Sequence, residues 1–172
     1  MTGATLLLAL VTLGRLGELV LARANTRALF ARGAIEVAPG HYPAIVLLHT
    51  LWLGVLWAFG MDQPVNPVWL AIFLALQVAR VWILMTLGSR WTTRILIVPG
   101  ETLLARGPYR YVSHPNYLVV IGEIAVLPLC FELPWVAVVF TLLNAAILTI
   151  RIRAENAGLK TLRLHAQDGS IV

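Results

Sequence analysis

The chain has 172 residues, of which 59% are hydrophobic and 12% are charged, and its net charge is +5 at pH 7. Soluble domains carry about twice that charged fraction, and a mean hydropathy of +0.83 excludes an ordinary soluble enzyme. The positive charge does not indicate a nucleic-acid partner, because the arginines lie at the ends of apolar segments. With one cysteine, Cys130, the chain has no internal disulfide, and we predict no metal site.

Five apolar segments predict an all-α integral membrane protein with five transmembrane helices in a single domain, residues 1–172. The predicted spans are 3–22, 42–60, 67–87, 118–133 and 134–152. The first three approach the ~20 residues that cross the hydrocarbon core. The last two are shorter and nearly continuous, so we expect them to form a short helical hairpin.

Basic residues predict the orientation of these spans. Eleven of the 13 arginines and lysines lie after the first span, between the third and fourth spans, or after the fifth span. The opposite loops, at 61–66 and around Glu132, contain none. Because positive residues stay on the cytoplasmic side, we expect an inner-membrane protein with its N-terminus outside and its C-terminus inside.

Charged residues inside the spans need partners. Arg15 and Glu18 lie three residues apart on one helical face and are expected to pair. Arg80 lies at a depth similar to that of Glu123, and an ion pair between them is about as strongly indicated as substrate binding by Arg80. We expect interhelical hydrogen bonds from two other polar residues of the spans: His49 and Asn144.

The segment 88–116, between the third and fourth spans, is too long for a simple connection. Val98-Pro99-Gly100-Glu101 is typical of a type II turn, and it is flanked by the apolar stretches 94–98 and 102–104. We therefore expect a short extended ribbon or an irregular loop on the membrane interface. Aromatic residues here, such as Trp91, fit an interfacial belt as well as a substrate contact.

The densest group of chemically capable residues is the stretch 106–117, Arg-Gly-Pro-Tyr-Arg-Tyr-Val-Ser-His-Pro-Asn-Tyr. Gly107-Pro108 interrupts any helix, and a residue before proline, such as His114, favours extended backbone. Pro115 can then occupy the first turn of the next helix, where the early amides are free to meet a ligand.

This stretch resembles the signature of the isoprenylcysteine carboxyl methyltransferase family, which consists of integral-membrane enzymes that use S-adenosylmethionine. The sequence Trp91-Thr92-Thr93-Arg94 and the short chain are more similar to its bacterial branch, which includes O-methyltransferases for alkylpyrones. The resemblance extends from about Leu87 to Leu159. It implies cofactor contacts from eight residues: Gly107, Tyr109, His114, Pro115, Asn116, Tyr117, Glu155 and Asn156.

A second resemblance lies at the end of the fifth span. Arg151 and Glu155 are four residues apart and share one helical face, which by itself fits an ordinary ion pair at a helix end. The pair also resembles the family's C-terminal signature, which implies catalytic roles for three residues: Arg151, Arg153 and Glu155. The chain departs from the family pattern in two places, with Ser113 for an arginine and Asn156 for a second glutamate.

The reaction implied is methyl transfer from S-adenosylmethionine to an oxygen of a lipophilic molecule, with the acidic hydroxyl of an alkylpyrone as the favoured acceptor. The expected substrate contacts are Arg80, Trp91, Thr93 and Arg94. An acceptor of this kind is already largely anionic, so positioning and electrostatics outweigh a strong base. Two alternatives remain: an isoprenylcysteine carboxylate as the acceptor, and a non-catalytic, lipid-binding membrane scaffold.

Overall fold

The computed structural model describes residues 2–101 and 104–167, except for the side chains of residue 41 and of residues 159–167. Its elements are α1 (Gly3–Ala31), β1 (Ile35–Glu36), α2 (Tyr42–Gly60), α3 (Pro67–Leu87), β2 (Leu96–Ile97), α4 (Pro115–Cys130) and α5 (Pro134–Gln167). Short 3-10 turns occupy Pro39–His41, Gly88–Arg90 and Gly107–Arg110.

The helices begin where the sequence supplies N-terminal signals. The Thr2 hydroxyl accepts a hydrogen bond from the Thr5 amide at the start of α1. At the start of α3, Asn66 caps the helix and is followed by a proline. Pro115 occupies the first position of α4, as predicted, because its missing N–H would have had no partner there.

The core lies around α4, whose inward residues are buried between α3 and α5. Large rings, among them Trp52, Phe73 and Phe131, fill the space between the helices. The outward faces are apolar as well: Leu13 is 65% exposed and Met85 is 78% exposed. A surface of this kind is stable against lipid and not against water, so the chain is an integral membrane protein.

Four helices are long and apolar enough to span a membrane: α1, α2, α3 and α5. With 16 residues, α4 falls short of that length. The span boundaries at 3–22 and 134–152 were wrong as helix ends, because α1 continues to Ala31 and α5 to Gln167. The prediction placed each helix end where the apolar stretch ends. No glycine or proline stops either helix at that point, so both helices continue beyond it. α4 starts and ends three residues before the predicted span 118–133, and α5 is too long for a short hairpin.

The connections gather at two ends of the bundle. At one end, the Thr2 hydroxyl donates to the Met61 carbonyl at 2.6 Å, and the backbone N–H of Asn66 donates to the Cys130 carbonyl at 2.8 Å. The other end, which we call the site end, holds the C-terminal part of α1, the segment 88–114 and the later half of α5. All three basic regions therefore lie at one end of the molecule, as the sequence predicted.

An extended strand, β2, does form in the segment 88–116. It does not pair with the apolar stretch 102–104 on the other side of the turn. β2 pairs with β1 in antiparallel register, Ile35 opposite Ile97 and Glu36 opposite Leu96. The predicted turn is present: the Glu101 amide donates to the Val98 carbonyl at 3.2 Å, and Gly100 has φ +78°. Residues 102 and 103 lie outside the described part of the chain.

Two predictions about polar residues in the spans are confirmed and two are wrong. Arg15 pairs with Glu18 at 3.1 Å, and Arg80 pairs with Glu123 at 2.8 Å. Within the described part of the chain His49 forms no interhelical hydrogen bond; its Nδ1 donates to the Ile45 carbonyl at 2.8 Å, one turn earlier in α2. The remaining prediction is not met, because neither side-chain polar atom of the buried residue Asn144 has a hydrogen-bond partner among the described residues.

Candidate active site

The centre of the site is the Tyr117 hydroxyl, which links the two charged residues predicted at the end of the fifth span. Arg151 Nε donates to this oxygen at 2.9 Å, and the hydroxyl donates to Glu155 Oε2 at 2.5 Å. The arginine and the glutamate lie one turn apart on α5, and Tyr117 comes from the first turn of α4. The two charges therefore interact through a tyrosine and do not form the ordinary ion pair of a helix end.

His114 lies against this group from the segment that enters α4. Its ring stacks on the Tyr117 ring with centroids 5.1 Å apart and planes inclined by 14°. Its Nδ1 is 3.9 Å from Glu155 Oε1, which makes the carboxylate a shared neighbour of both rings. Burial, together with the negative charge of Glu155, raises the pKa of Tyr109 to about 12, so this phenol stays protonated near neutral pH.

Arg151 is fixed from a second direction by the segment that follows α3. Its Nη1 donates to the Thr93 carbonyl at 2.8 Å, and its guanidinium carbon lies 5.6 Å from the centre of the Tyr117 ring. The residue is only 6% exposed. Within residues 2–101 and 104–158, Arg151 forms no salt bridge, so it is a buried cation whose charge is balanced only at a distance.

The segment that carries Thr93 is held in place by residues far away in the sequence. Asn25 Nδ2, on α1, donates to the Trp91 carbonyl at 2.8 Å and to the Gly88 carbonyl at 3.2 Å. Arg94 binds both carboxylate oxygens of Glu36, at 2.9 and 2.8 Å, and its guanidinium lies over the Tyr42 ring at 4.6 Å. These contacts fix the backbone that positions Arg151.

A cavity of about 440 Å³ opens beside Tyr117 and Arg151 and continues between α1 and α2 toward the opposite end of the bundle. The segment after α3 contributes Trp91 and Thr93 to its wall, and α4 contributes Asn116. Two buried polar atoms on this wall have no hydrogen-bond partner among the described residues: the Trp91 indole N–H and Asn116 Oδ1. Unpartnered groups of this kind are expected where a ligand completes the hydrogen bonding.

Tyr117 and Arg151 form a partition with a different environment on each side. They line the cavity, whereas His114 and Glu155 do not. Those two residues lie on the other side of the Tyr117 hydroxyl, where both are about one-quarter exposed. The arrangement therefore places a largely apolar cavity on one side of the Tyr117 hydroxyl and two partly exposed polar side chains on the other.

The structure brings together most of the residues that the sequence singled out and leaves some apart. Tyr109, His114, Tyr117, Arg151 and Glu155 lie in one cluster. Two residues of α5, Arg153 and Asn156, are exposed and lie outside the cluster. They are one or two residues away from Glu155, and such a separation turns a side chain to another face of a helix. Three predicted substrate contacts, Arg80, Trp91 and Thr93, line the cavity, whereas Arg94 is engaged by Glu36 and Tyr42 and does not.

Two of the predicted cofactor residues have clear structural roles. Gly107 has φ +55°, and a Cβ at this position would lie 2.6 Å from Thr86 Oγ1. The position therefore requires glycine for packing as well as for conformation. Pro115 is buried at the first position of α4 and sets the start of the helix that carries Tyr117.

Sequence reasoning missed the residues that act from the N-terminal half of the chain. Asn25 was not singled out, although an asparagine in an otherwise Ala- and Arg-rich helix segment is a weak signal of a tertiary contact. Glu36 and Tyr42 are separated from Arg94 by more than 50 residues, and a single sequence carries no information on such pairs.

The fold and the site define an integral membrane protein with an arginine–tyrosine–glutamate cluster, of which the arginine is buried, at the mouth of a largely apolar cavity. The sequence pattern of the isoprenylcysteine carboxyl methyltransferase (ICMT) family matches residues 69–161, more than half of the chain. The chain belongs to this family. Membership indicates a membrane methyltransferase, and S-adenosylmethionine is the methyl donor that the family generally uses.

Two relatives extend the similarity beyond that match. The chain is 39% identical over 160 residues to the uncharacterized protein YpbQ of Bacillus subtilis, covering 90% of this chain and 95% of that protein. It is 25% identical over 144 residues to an uncharacterized protein of Haemophilus influenzae, covering 80% of this chain and 84% of that protein. No solved structure matches the chain.

Proposed function

We propose that the protein is an S-adenosylmethionine-dependent O-methyltransferase that acts on a lipophilic acceptor with an acidic oxygen. The observation that carries this proposal is Arg151, a buried guanidinium without a salt bridge in the described chain, on the wall of an apolar cavity. An anionic oxygen at the cavity mouth would supply the missing negative charge.

The cavity favours an acceptor with an apolar chain. Its volume of about 440 Å³ lies within the 300–1,000 Å³ typical of small-molecule sites. Aliphatic and aromatic residues of α1 and α2, such as Leu16, Ile45 and Leu53, form much of its wall. A chain that entered this space would place its acidic head group beside Arg151.

The residues on the other side of Tyr117 fit a cofactor that carries hydroxyl groups, an aromatic base and a positive charge. The Glu155 carboxylate is partly exposed, and each of its oxygens has a further lone pair for a ribose hydroxyl or a cation. Three aromatic rings stand beside it: Tyr109, His114 and Tyr117. These acceptor oxygens and aromatic surfaces suit S-adenosylmethionine, which supplies an activated methyl group on a sulfonium.

In this reaction the protein mainly has to position the acceptor oxygen and the methyl donor. Arg151 holds the acceptor oxygen as an anion, so no base has to remove a proton during the transfer. Tyr117 fixes the guanidinium through its hydroxyl and forms part of the shared wall at which the two ligands meet. The apolar lining excludes water from the acceptor side, which strengthens the attraction between the guanidinium and the anion.

We take the acidic hydroxyl of an alkylpyrone as the first acceptor to test and an isoprenylcysteine carboxylate as the alternative, which the family description also fits. Purified protein in detergent would be given methyl-labelled S-adenosylmethionine with each acceptor. We expect Arg151→Met to raise the KM for the acceptor at least tenfold, and Arg153→Met to have a smaller effect. Equal, small effects of both substitutions would remove the proposed role of Arg151.

The third possibility, a lipid-binding scaffold without activity, is tested by binding. Calorimetric titration with S-adenosylhomocysteine is expected to show saturable binding that His114→Ala weakens. Absence of binding to the folded, wild-type protein would favour the scaffold and refute the proposed activity.

We also propose that the chain is one domain that crosses the inner membrane five times, with its N-terminus outside and its site end in the cytoplasm. The clustering of basic residues at the site end supports this orientation. In a Cys130→Ser background, Gly100→Cys is expected to react with a membrane-impermeant thiol reagent only after the inner face is opened. Asp62→Cys is expected to react in intact cells, and the reverse pattern would invert the proposed topology.

A further inference from the structure

The cavity has a second polar wall, which the proposed methyl transfer does not use. It contains four cavity-lining residues of the spans with charged or imidazole side chains: Arg15, Glu18, His49 and Arg80. Glu18 lies seven residues before Asn25 on α1, and His49 lies seven residues after Tyr42 on α2. At 1.5 Å per residue, this inner polar wall lies about 10 Å deeper than the residues at the cavity mouth.

The charged residues of the inner polar wall form one network. Arg80 Nη2 donates to Glu18 Oε2 at 2.5 Å, and its Nη1 donates to Glu123 Oε2 at 2.8 Å. Arg15 binds the same two carboxylates, Glu18 at 3.1 Å and Glu123 at 2.8 Å. Gln77 Nε2 donates to the remaining Glu123 oxygen at 2.7 Å. Two guanidinium groups thus face two carboxylates, and the network is electrically balanced.

This balance restricts what the inner polar wall can bind. An added carboxylate or ammonium group would leave one unbalanced charge inside the membrane, at a large cost in desolvation. Hydrogen-bonding capacity remains, because a guanidinium has five N–H donors and Arg15 uses two of them in its contacts with Glu18 and Glu123. Arg15 and Glu18 also keep 19% and 17% of their side-chain surface exposed, whereas Glu123 keeps 1%. The wall therefore suits an uncharged polar group.

His49 supplies the opposite kind of partner. Its Nδ1 donates to the Ile45 carbonyl, which leaves Nε2 of the neutral ring as an acceptor. No described residue donates to Nε2. Trp52, whose ring stands edge-on to His49, is 1% exposed, and its indole N–H has no partner among the residues described. A ligand group that both donates and accepts a hydrogen bond would satisfy this histidine and one of the arginines that line the same cavity.

We propose that the inner polar wall binds a hydroxyl group on the chain of the acceptor, about 10 Å from the oxygen that receives the methyl group. The hydroxyl donates to His49 Nε2 and accepts from Arg15. The inference rests on the proposed function and names its substrate class more closely: a lipophilic acid or enol whose chain is hydroxylated partway along its length.

The test compares two 4-hydroxy-2-pyrones with alkyl chains of equal length, one of which carries a hydroxyl about 10 Å from the ring oxygen. Binding to the protein in detergent, without cofactor, is followed by quenching of tryptophan fluorescence. We expect the hydroxylated compound to bind about tenfold more tightly, which is the effect of one well-placed hydrogen bond. His49→Leu should bring the ratio of the two affinities close to one.

Two further variants make the comparison specific. His49→Gln keeps an acceptor on a side chain of similar length, and we expect it to retain part of the preference. Thr149→Val, a substitution on the outer face of α5, is the control and should leave the ratio at the wild-type value. A wild-type ratio of one, or a ratio that His49→Leu leaves unchanged, overturns the inference.

Methyl transfer is measured separately, so the two proposals can fail independently. If the hydroxylated pyrone binds in a His49-dependent manner but neither pyrone is methylated, the inference stands and the proposed acceptor chemistry fails. If both pyrones are methylated and bind equally well, the proposed function stands and the inference fails. Failure of both pyrones to bind overturns the inference, because the cavity then does not accept the chain.

Discussion

Replacing Tyr117 by phenylalanine is the sharpest test of the candidate site. The substitution keeps the ring that stacks on His114 and removes only the hydroxyl. Arg151 Nε loses its acceptor at 2.9 Å, and Glu155 loses a donor at 2.5 Å. Glu155 is 25% exposed and can be rehydrated, whereas Arg151 is 6% exposed and cannot.

The size of the effect follows from that difference. A hydrogen bond to a charged group contributes about 1.5–3 kcal/mol, and most of this is lost on the Arg151 side. We expect a loss of about 2 kcal/mol, which lowers the thermal midpoint in detergent by about 4–8 °C. The same energy applied to the placement of Arg151 lowers kcat/KM for the acceptor about 30-fold.

The assay measures methyl transfer and S-adenosylhomocysteine binding in parallel for Tyr117→Phe and for Tyr111→Phe. Tyr111 lies in the same segment but is 77% exposed, so it is a matched control that should behave as wild type. If the two variants differ by less than about twofold in every measurement, the reasoning that places Tyr117 at the centre of the site is wrong.

Two other predictions concern the parts that hold the site in place. Gly107→Ala should lower the free energy of unfolding by about 2–4 kcal/mol, from left-handed strain and from the clash with Thr86, measured by thermal unfolding. Gly100→Ala has a similar positive φ but open space around it, so it should lose only about 1–2 kcal/mol, and equal losses would refute the packing argument. Asn25→Leu removes both hydrogen bonds to the segment after α3 and should speed tryptic cleavage at Arg94 about tenfold. An unchanged cleavage rate would show that Asn25 does not hold this segment.

The sequence predicted those features of the fold that depend on composition and local signals. Hydropathy located the helices, Pro115 marked the start of α4, and Pro99-Gly100 marked a turn. The ends of α1 and α5 were wrong, because the apolar stretch ends at the membrane boundary while nothing in the sequence ends the helix. The pairing of β1 with β2 depends on two short segments about 60 residues apart, which no local pattern encodes.

For the candidate site, too, the sequence predicted the local features and missed the long-range contacts. Its chemical residues came from motifs, so Tyr117, Arg151 and Glu155 were named before their contacts were known. That Tyr117 bridges the other two could not be predicted, since helix periodicity alone favours a direct pair four residues apart. Arg153 was named by the same motif, and the structure leaves it outside the cluster; its proposed catalytic role stays a prediction.

The family match includes the cluster but not most of the cavity wall, and this limits the functional conclusions that the match supports. The match covers residues 69–161, which include the arginine–tyrosine–glutamate cluster. Most of the residues that line the cavity precede residue 69, on α1 and α2. Membership therefore supports the methyl-transfer chemistry and leaves the acceptor open, because the walls that would select it lie mainly outside the match. Acceptor specificity has to be tested on α1 and α2, where we propose that His49 and Arg15 distinguish a hydroxylated acyl chain from an unsubstituted one.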